Sequence, residues 1–220
     1  MKSLAALLGS PALEGIVGAD EGYDAAEAAR ERHAEAREVR DRLPPFLRTG
    51  TAAELEARIR SKAALAVAKS WHWGDGNVLM CGATREGKTT AAAFLFRRLL
   101  SEAVKHGGEA WDLAKWMRWF GAEELSIARK NHSLGHGDPP ELVQACNARL
   151  LVLDDAGWDR DPADVCSVLN ARYERQYPTI ITTGKNRAEL TAHYGAAVVR
   201  RMREVGGQRA TVVDCFEVAG

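Results

Sequence analysis

The feature that most limits what this chain can fold into is the run Gly82-Ala83-Thr84-Arg85-Glu86-Gly87-Lys88-Thr89. It has the form G-x-x-x-x-G-K-[ST], and its surroundings suit it. Asn77–Cys81 before it is a short apolar run with strand character, and Lys88–Glu102 after it carries Phe94, Leu95 and Leu99 on a helical pattern. In a strand, glycine loop and helix of this kind, successive backbone N–H groups turn inward, and the helix N-terminus adds positive potential for phosphate. The residues Gly82, Ala83, Thr84, Arg85, Glu86, Gly87, Lys88, Thr89 and Thr90 are therefore the expected nucleotide-binding set. Lys88 is expected to reach the β- and γ-phosphates of ATP, and the Thr89 hydroxyl to ligate Mg²⁺.

A second motif completes such a site. Leu150-Leu-Val-Leu153 is a continuous apolar run, as in a strand buried on both faces, and it ends in Asp154-Asp155. A carboxylate at the end of a buried strand is costly without a cation or partner there. Asp154 is thus the expected second Mg²⁺ ligand, direct or through water, and Asp155 the group that orients or deprotonates an attacking water.

The rest of the chain alternates between the two periods. Thr51–Trp71 has a helical pattern opened by a Thr51/Glu54 capping box. Lys115–Phe120 suits a strand and Ala122–Lys130 a helix; Asp161-Pro162 opens a helix to about Gln176. Pro178–Thr183 is a β-branched strand, Leu190–Arg203 a helix and Thr211–Val218 a last strand. Alternation of this kind predicts an α/β fold, a parallel sheet covered by helices on both faces in three layers.

Residues 1–42 read as a separate helical arm, and 43–220 as the ATPase domain. Asp24–Arg42 is rich in Ala, Glu and Arg, with Glu38 and Arg42 at a favourable i,i+4 spacing, and only alanines and Val39 give it an apolar stripe. It is expected to add little to a core. Upstream, Leu4, Leu7, Leu8, Leu13, Ile16 and Val17 form an apolar patch interrupted by glycines and Pro11; Leu43-Pro44-Pro45 closes the arm.

Composition excludes little. Thirty basic residues balance thirty acidic ones, so any polyanion contact must come from local clusters. Four widely spaced cysteines read as small buried thiols, and His132 and His136 flank a polar loop without cysteine partners, whereas a closed zinc site needs about four ligands. No run approaches about 18 apolar residues, and the apolar core within Met1–Leu8 is shorter than the roughly 7–15 residues of a secretory signal, so no membrane contact and a cytoplasmic location are expected.

Taken in order, Leu43-Pro-Pro, the P-loop, Leu150-Leu-Val-Leu-Asp-Asp-Ala-Gly157, Arg172-Tyr-Glu, Pro178-Thr-Ile-Ile-Thr-Thr183 and Val198-Val-Arg-Arg201-Met202 resemble the DnaC/IstB-like branch of the AAA+ ATPases, which includes replicative helicase loaders. The resemblance covers roughly residues 43–220. It implies an ASCE sheet in which the P-loop strand neighbours both the acidic-pair strand and the last strand. No C-terminal helical lid is expected, because the chain stops at Gly220.

The resemblance also implies that Arg201 is an arginine finger reaching a neighbouring subunit's ATP, with Arg200 and Arg203 close enough to share the role, so self-association through the ATP site is expected. Where the family usually carries Asn or Ser after the threonine of the fourth strand (sensor 1), this chain has Gly184, leaving Thr183 or Asn186 to substitute. Trp111, Trp116 and Trp119, interleaved with Lys115 and Arg118, suit either a base-stacking platform or a charged sheet edge, and the implied sheet order favours the edge. Trp71 and Trp73 are expected to pack beside the nucleotide site.

The expected function is an ATP-dependent helicase loader of bacterial or phage DNA replication. It would bind ATP-Mg and single-stranded DNA and grip a replicative helicase through the arm. The alternatives are an IstB-like transposition helper, a small-molecule P-loop kinase, and a nucleotide-sensing adaptor that barely hydrolyses ATP.

Overall fold

The computed structural model describes residues 11–133 and 135–216, with side chains from residue 26 onward. The chain opens with a long helix, α1 (Pro11–Arg40), which starts at a proline in its first turn and runs through Gly15 and Gly18, where propensity alone suggests a break. The apolar patch expected from Leu4 to Val17 lies outside the described side chains. Next come α2 (Pro45–Arg48), α3 (Ala52–Ala57) and α4 (Lys62–Ser70). The single helix expected from Thr51 to Trp71 is thus two. Its Thr51/Glu54 capping box forms, but Arg58–Ser61 leaves the helix, and the Ser61 side chain caps α4 by accepting from the Ala64 N–H.

Strand β1 (Val78–Gly82) feeds the loop into α5 (Lys88–His106), followed by α6 (Gly108–Ala114), β2 (Met117–Gly121), α7 (Ala122–Asn131), α8 (Pro140–Asn147) and β3 (Leu150–Asp154). Then come α9 (Pro162–Arg175), β4 (Thr179–Thr183), α10 (Arg187–Tyr194), α11 (Ala196–Met202), a small hairpin of β5 (Glu204–Val205) and β6 (Gln208–Arg209), and β7 (Thr211–Cys215). The one helix expected over Leu190–Arg203 is broken by Gly195, which takes a φ of 82° between α10 and α11.

All five long strands are parallel, in the order β2-β3-β4-β1-β7. The P-loop strand β1 does neighbour the last strand. It does not neighbour the acidic-pair strand, because β4 lies between them. This corrects the expected order and gives β4 a part in the site.

Alternate residues of β1, β3 and β4 feed two buried layers. Met80, Val152 and Ile180 pack toward α5, while Leu79, Leu151, Leu153 and Ile181 pack on the opposite layer with residues of α7 to α11. The arm is not set apart from this core. Val39 of the arm is buried in the α5 layer, beside Leu43 and Leu47 of the segment that follows it. Arg42 donates to the carbonyls of Lys115 (2.9 Å) and Met117 (2.7 Å), which fastens the end of α1 to the start of β2 and forgoes an ion pair with Glu38. No helix among the described residues is long and apolar enough to cross a membrane.

Candidate nucleotide site

The loop after β1 is shaped by close approaches. At Gly82 a Cβ would come within 2.4 Å of Cys215 Cβ on β7, and at Gly87, where φ is 84°, within 2.8 Å of Ile59 Cα. The segment that interrupts the α3–α4 pattern is what packs there. The N–H groups of Arg60 and Ser61 donate to the Glu86 carbonyl at 3.2 and 3.1 Å, so the loop is clasped from behind. Ala83, Thr84 and Arg85 remain exposed. Arg85 also takes a positive φ of 74°. Lys88, in the first turn of α5, is buried, and its Nζ donates to the carbonyls of Gly82 (2.7 Å) and Ala83 (2.6 Å). The ammonium is thereby held over the cradle of the loop, where phosphate charge would meet it.

The two sequence motifs meet at one carboxylate. Thr89 Oγ1 donates to Asp154 Oδ1 at 2.9 Å, and Thr182 Oγ1 donates to the same oxygen at 2.5 Å. Thr182 in turn accepts from the Asp155 N–H at 3.1 Å. Burial raises the Asp154 carboxyl above its ordinary range; the hydrogen bonds from Thr182 and Thr89 oppose the shift, and the adjacent Asp155 charge adds to it. A buried carboxylate under that pressure, with a threonine hydroxyl beside it, is a donor set that suits a hard divalent cation such as Mg²⁺. The residues present therefore fit the pair ATP and Mg²⁺, with Lys88 and the loop N–H groups for phosphate and Thr89 and Asp154 for metal.

Thr182 was not singled out in the sequence. The signal was available: in a β-branched strand, alternation places Thr182 on the same face as Asp154 and Thr183 on the other. Thr183 is fully buried and donates to the Ala156 carbonyl (2.7 Å) while accepting from the Lys185 N–H (3.0 Å), so it does not join the Thr89–Asp154 cluster. Asn186, the other sensor 1 substitute, is engaged as the N-cap of α10 in a capping box with Glu189. Asp155 sits just past the strand, exposed, at a φ of 55°. The turn after it is braced by buried Asp159, which accepts from the Gly157 N–H (3.1 Å) and from the Tyr194 hydroxyl.

Arg201 stands apart from this cluster. On α11, its guanidinium reaches α9, with Nη1 donating to Asn170 Oδ1 at 2.5 Å and the group lying 5.6 Å from the centre of the Tyr173 ring. Its Nε is buried without a partner among the described residues. Arg200 is exposed, and Arg203 ends the helix.

The tryptophans do not form a platform. Of the three between 111 and 119, Trp111 lies on α6 and is buried, Trp119 packs edge-on to Phe96 at 6.3 Å, and Trp116 alone is exposed, with Arg118 at 5.7 Å. β2 is the sheet edge, as the second reading of these residues requires. Trp71 is buried against Trp73 and donates to the Gly76 carbonyl at 3.0 Å. The Cys81 thiol, next to the loop, is pushed up to about 11 by burial first and the Asp214 carboxylate second, which leaves it inert near neutral pH.

No protein-family model and no curated protein sequence matches the chain. Among solved structures it is similar to a primosome component from Streptococcus pyogenes, at 19% identity and a TM-score of 0.53, over 82% of this chain and 97% of that one. It is also similar to the replication initiator DnaA bound to AMPPCP and single-stranded DNA, at 16% identity and a TM-score of 0.54, over 80% of this chain and 51% of that one. A DnaC helicase loader matches at 22% identity and a TM-score of 0.49, over 68% of this chain and 85% of that one. The first two matches carry the fold assignment, a parallel sheet with helices on both faces and a phosphate-type loop after β1.

Proposed function

We propose that the chain is an ATP-dependent helicase loader acting in bacterial or phage DNA replication. The observation that carries this reading is the convergence of Thr89 and Thr182 on Asp154 beside a phosphate loop, on a fold shared with a primosome component and with DnaA. ATP would supply a phosphoanhydride bond and Mg²⁺ would neutralise its charge. Gly82–Thr90 and Lys88 bind the phosphates, Thr89 and Asp154 hold the metal, and Asp155 orients the attacking water. Arg201, supplied to a neighbouring subunit, stabilises charge spreading over the transferred phosphoryl group. The N-terminal arm, residues 1–42, meets the helicase, and single-stranded DNA is the second partner.

One observation favours slow turnover, and with it the nucleotide-sensing adaptor as second reading. Thr183 faces away from the Asp154 cluster and Asn186 is spent on a helix cap, so neither sensor 1 substitute reaches the site.

The test has two parts. MgATP at a hundredfold excess over its Kd should stabilise the protein by about 2.7 kcal/mol, and Lys88→Ala should remove the effect. Purified hexameric replicative helicase should be captured by the full chain with MgATP and lost by a chain lacking residues 1–25. That cut spares Val39 and Arg42, which belong to the core and its edge. In a parallel arm with purified transposase, capture of the transposase and not of the helicase supports the IstB-like helper. Capture of neither overturns the loader and leaves the ATPase standing.

A further inference from the structure

A cavity of about 560 Å³ lies between α1 and the C-terminal half of α5, and its lining is basic. Arg32, His33, Arg37 and Arg40 enter it from α1, and Arg97 and Lys105 from α5. Its lining includes no carboxylate, and Ala36 and Val104 contribute to an apolar floor. The nearby Glu102 is already paired with Arg98 at 2.9 Å. Among the described residues, none of the five Arg and Lys side chains makes an ion pair, and Arg97 alone is engaged with backbone, donating to the Thr49 and Gly50 carbonyls at 3.0 and 2.6 Å. Arg32 Nε is buried with no hydrogen-bond partner among the described residues. Arg97 is held below its ordinary range by burial first and by the Arg40 charge second.

The sequence of α1 sorts its charges to make this wall. At helical spacing, positions 29, 32, 36 and 40 share one face, and they line the cavity. Glu27, Glu31, Glu35 and Glu38 share the opposite face and are exposed. A helix that merely needed solubility would mix its charges outward; this one turns arginines toward a neighbouring helix that presents more cations. Like charges gathered at a partly desolvated wall repel, and a bound polyanion reverses that cost.

We infer that the α1–α5 cavity is a phosphate-binding groove for the backbone of a single nucleic-acid strand. Eight residues separate Arg32 from Arg40, and eight separate Arg97 from Lys105, so each row of cations spans about 12 Å along its helix. One free phosphate touches only part of such rows, whereas a strand presents several in succession. The cavity lining has no Phe, Tyr or Trp ring on which bases would stack, so the contacts are chiefly to phosphate and independent of sequence. The inference rests on the reading of the chain as a DNA-engaging replication ATPase, and adds where the strand lies.

The test uses the full chain with MgATP and a fluorescent oligodeoxythymidylate, read by anisotropy across a salt series. Arg37, Arg40 and Lys105 are exposed, so the triple variant Arg37→Ala/Arg40→Ala/Lys105→Ala should keep its Tm and its MgATP response. Its affinity should fall about tenfold or more near 0.1 M salt, and its salt slope should become shallower by about 2, since each lost phosphate contact removes about 0.7. A control triple at exposed cations elsewhere, Lys62→Ala/Lys130→Ala/Arg209→Ala, should bind as wild type does. If wild type binds the strand and the first triple binds equally well, the groove is refuted while the DNA-binding reading stands. A wild type that binds no strand at any salt sinks both. Equal losses in the two triples would mean bulk charge in place of a groove, and a triple that loses only a protein partner would reassign the cavity to that partner.

Discussion

Thr182 and Asp154 stand on adjacent parallel strands and share a hydrogen bond of 2.5 Å, in which the threonine hydroxyl donates to the carboxylate. The same hydroxyl accepts from the Asp155 N–H, so a single side chain fixes the Asp154 carboxylate and the start of the acidic turn. This is the consequence of β4 lying between the two motif strands. Thr182→Val keeps the shape and the β-branch but leaves a buried acceptor and a backbone donor unserved. The expected loss is about 1–3 kcal/mol by denaturant melt. The Mg²⁺ dependence of nucleotide binding should weaken as well, because Asp154 is no longer oriented. Thr182→Ser should restore most of the nucleotide effect. A valine variant whose MgATP titration matches wild type would remove Thr182 from the site.

Asp154 shows the opposite balance between stability and function. Burial holds its carboxyl above the ordinary value of 3.8. Between that value and the folded-state value the native protein binds more protons than the unfolded chain, so its stability falls as pH rises through that window. Above the window the metal-free protein carries the full cost of a buried charge. Asp154→Asn should therefore raise the metal-free Tm at neutral pH and flatten the pH dependence of stability on the acid side. It should also abolish the extra stabilisation that Mg²⁺ adds to ATP. A metal-free Tm that drops in the asparagine variant at pH 7 would contradict the burial argument.

Arg172 carries a structural role that its place in a sequence motif did not disclose. It is fully buried and, among the described residues, has no carboxylate partner. Its guanidinium donates to Thr179 Oγ1 (2.8 Å) and to the carbonyls of Ala145 (2.8 Å), Ala148 (2.8 Å) and Pro178 (2.5 Å), joining α8, α9 and the start of β4. Burial pulls it down to about 9. Arg172→Ala strands four acceptors and opens a void, with an expected loss of about 3–5 kcal/mol, a large share of a domain's total of about 5–15 kcal/mol. Arg172→Lys has three donors and no planar fork, so it should recover only part of that loss. Chemical denaturation of the two variants orders them, and an alanine variant within about 1 kcal/mol of wild type would refute the staple.

How much of this was legible in the sequence follows from how local each signal is. The P-loop, the five long strands and their helical partners are written in runs of a few residues, because period and glycine placement are local. Arg58–Ser61 escaped because its departure from the helix is set by the P-loop packed against it, a contact from another part of the chain. The resemblance implies Thr183 at the end of the strand for sensor 1, whereas parity places Thr182, and not Thr183, beside Asp154. The basic wall of α1 is not legible in the sequence, because nothing in residues 26–40 says that α5 will meet it with Arg97 and Lys105.

Arg201 is the residue on which geometry and family resemblance divide most clearly. Its bond to Asn170 and its position beside the Tyr173 ring describe a brace between α11 and α9. The backbone there is anchored too, since Asn77 Nδ2 donates to the carbonyls of Arg201 (3.2 Å) and Met202 (3.0 Å). A trans finger needs such an anchor, because a guanidinium held in one place loses less entropy on meeting a phosphoryl group. The two roles separate in a mixing experiment. Arg201→Ala alone should bind ATP as wild type does and lose turnover by a factor that reaches toward the 10³–10⁵ typical of such residues. Lys88→Ala alone should lose ATP binding yet still present Arg201 to a neighbour. Mixed at concentrations where subunits assemble, the two inactive variants should regain turnover, because the Arg201→Ala subunit supplies the ATP site and the Lys88→Ala subunit the guanidinium. Mixtures that stay inactive, while Arg201→Ala shows a lowered Tm, would leave Arg201 as a brace and exclude the trans finger.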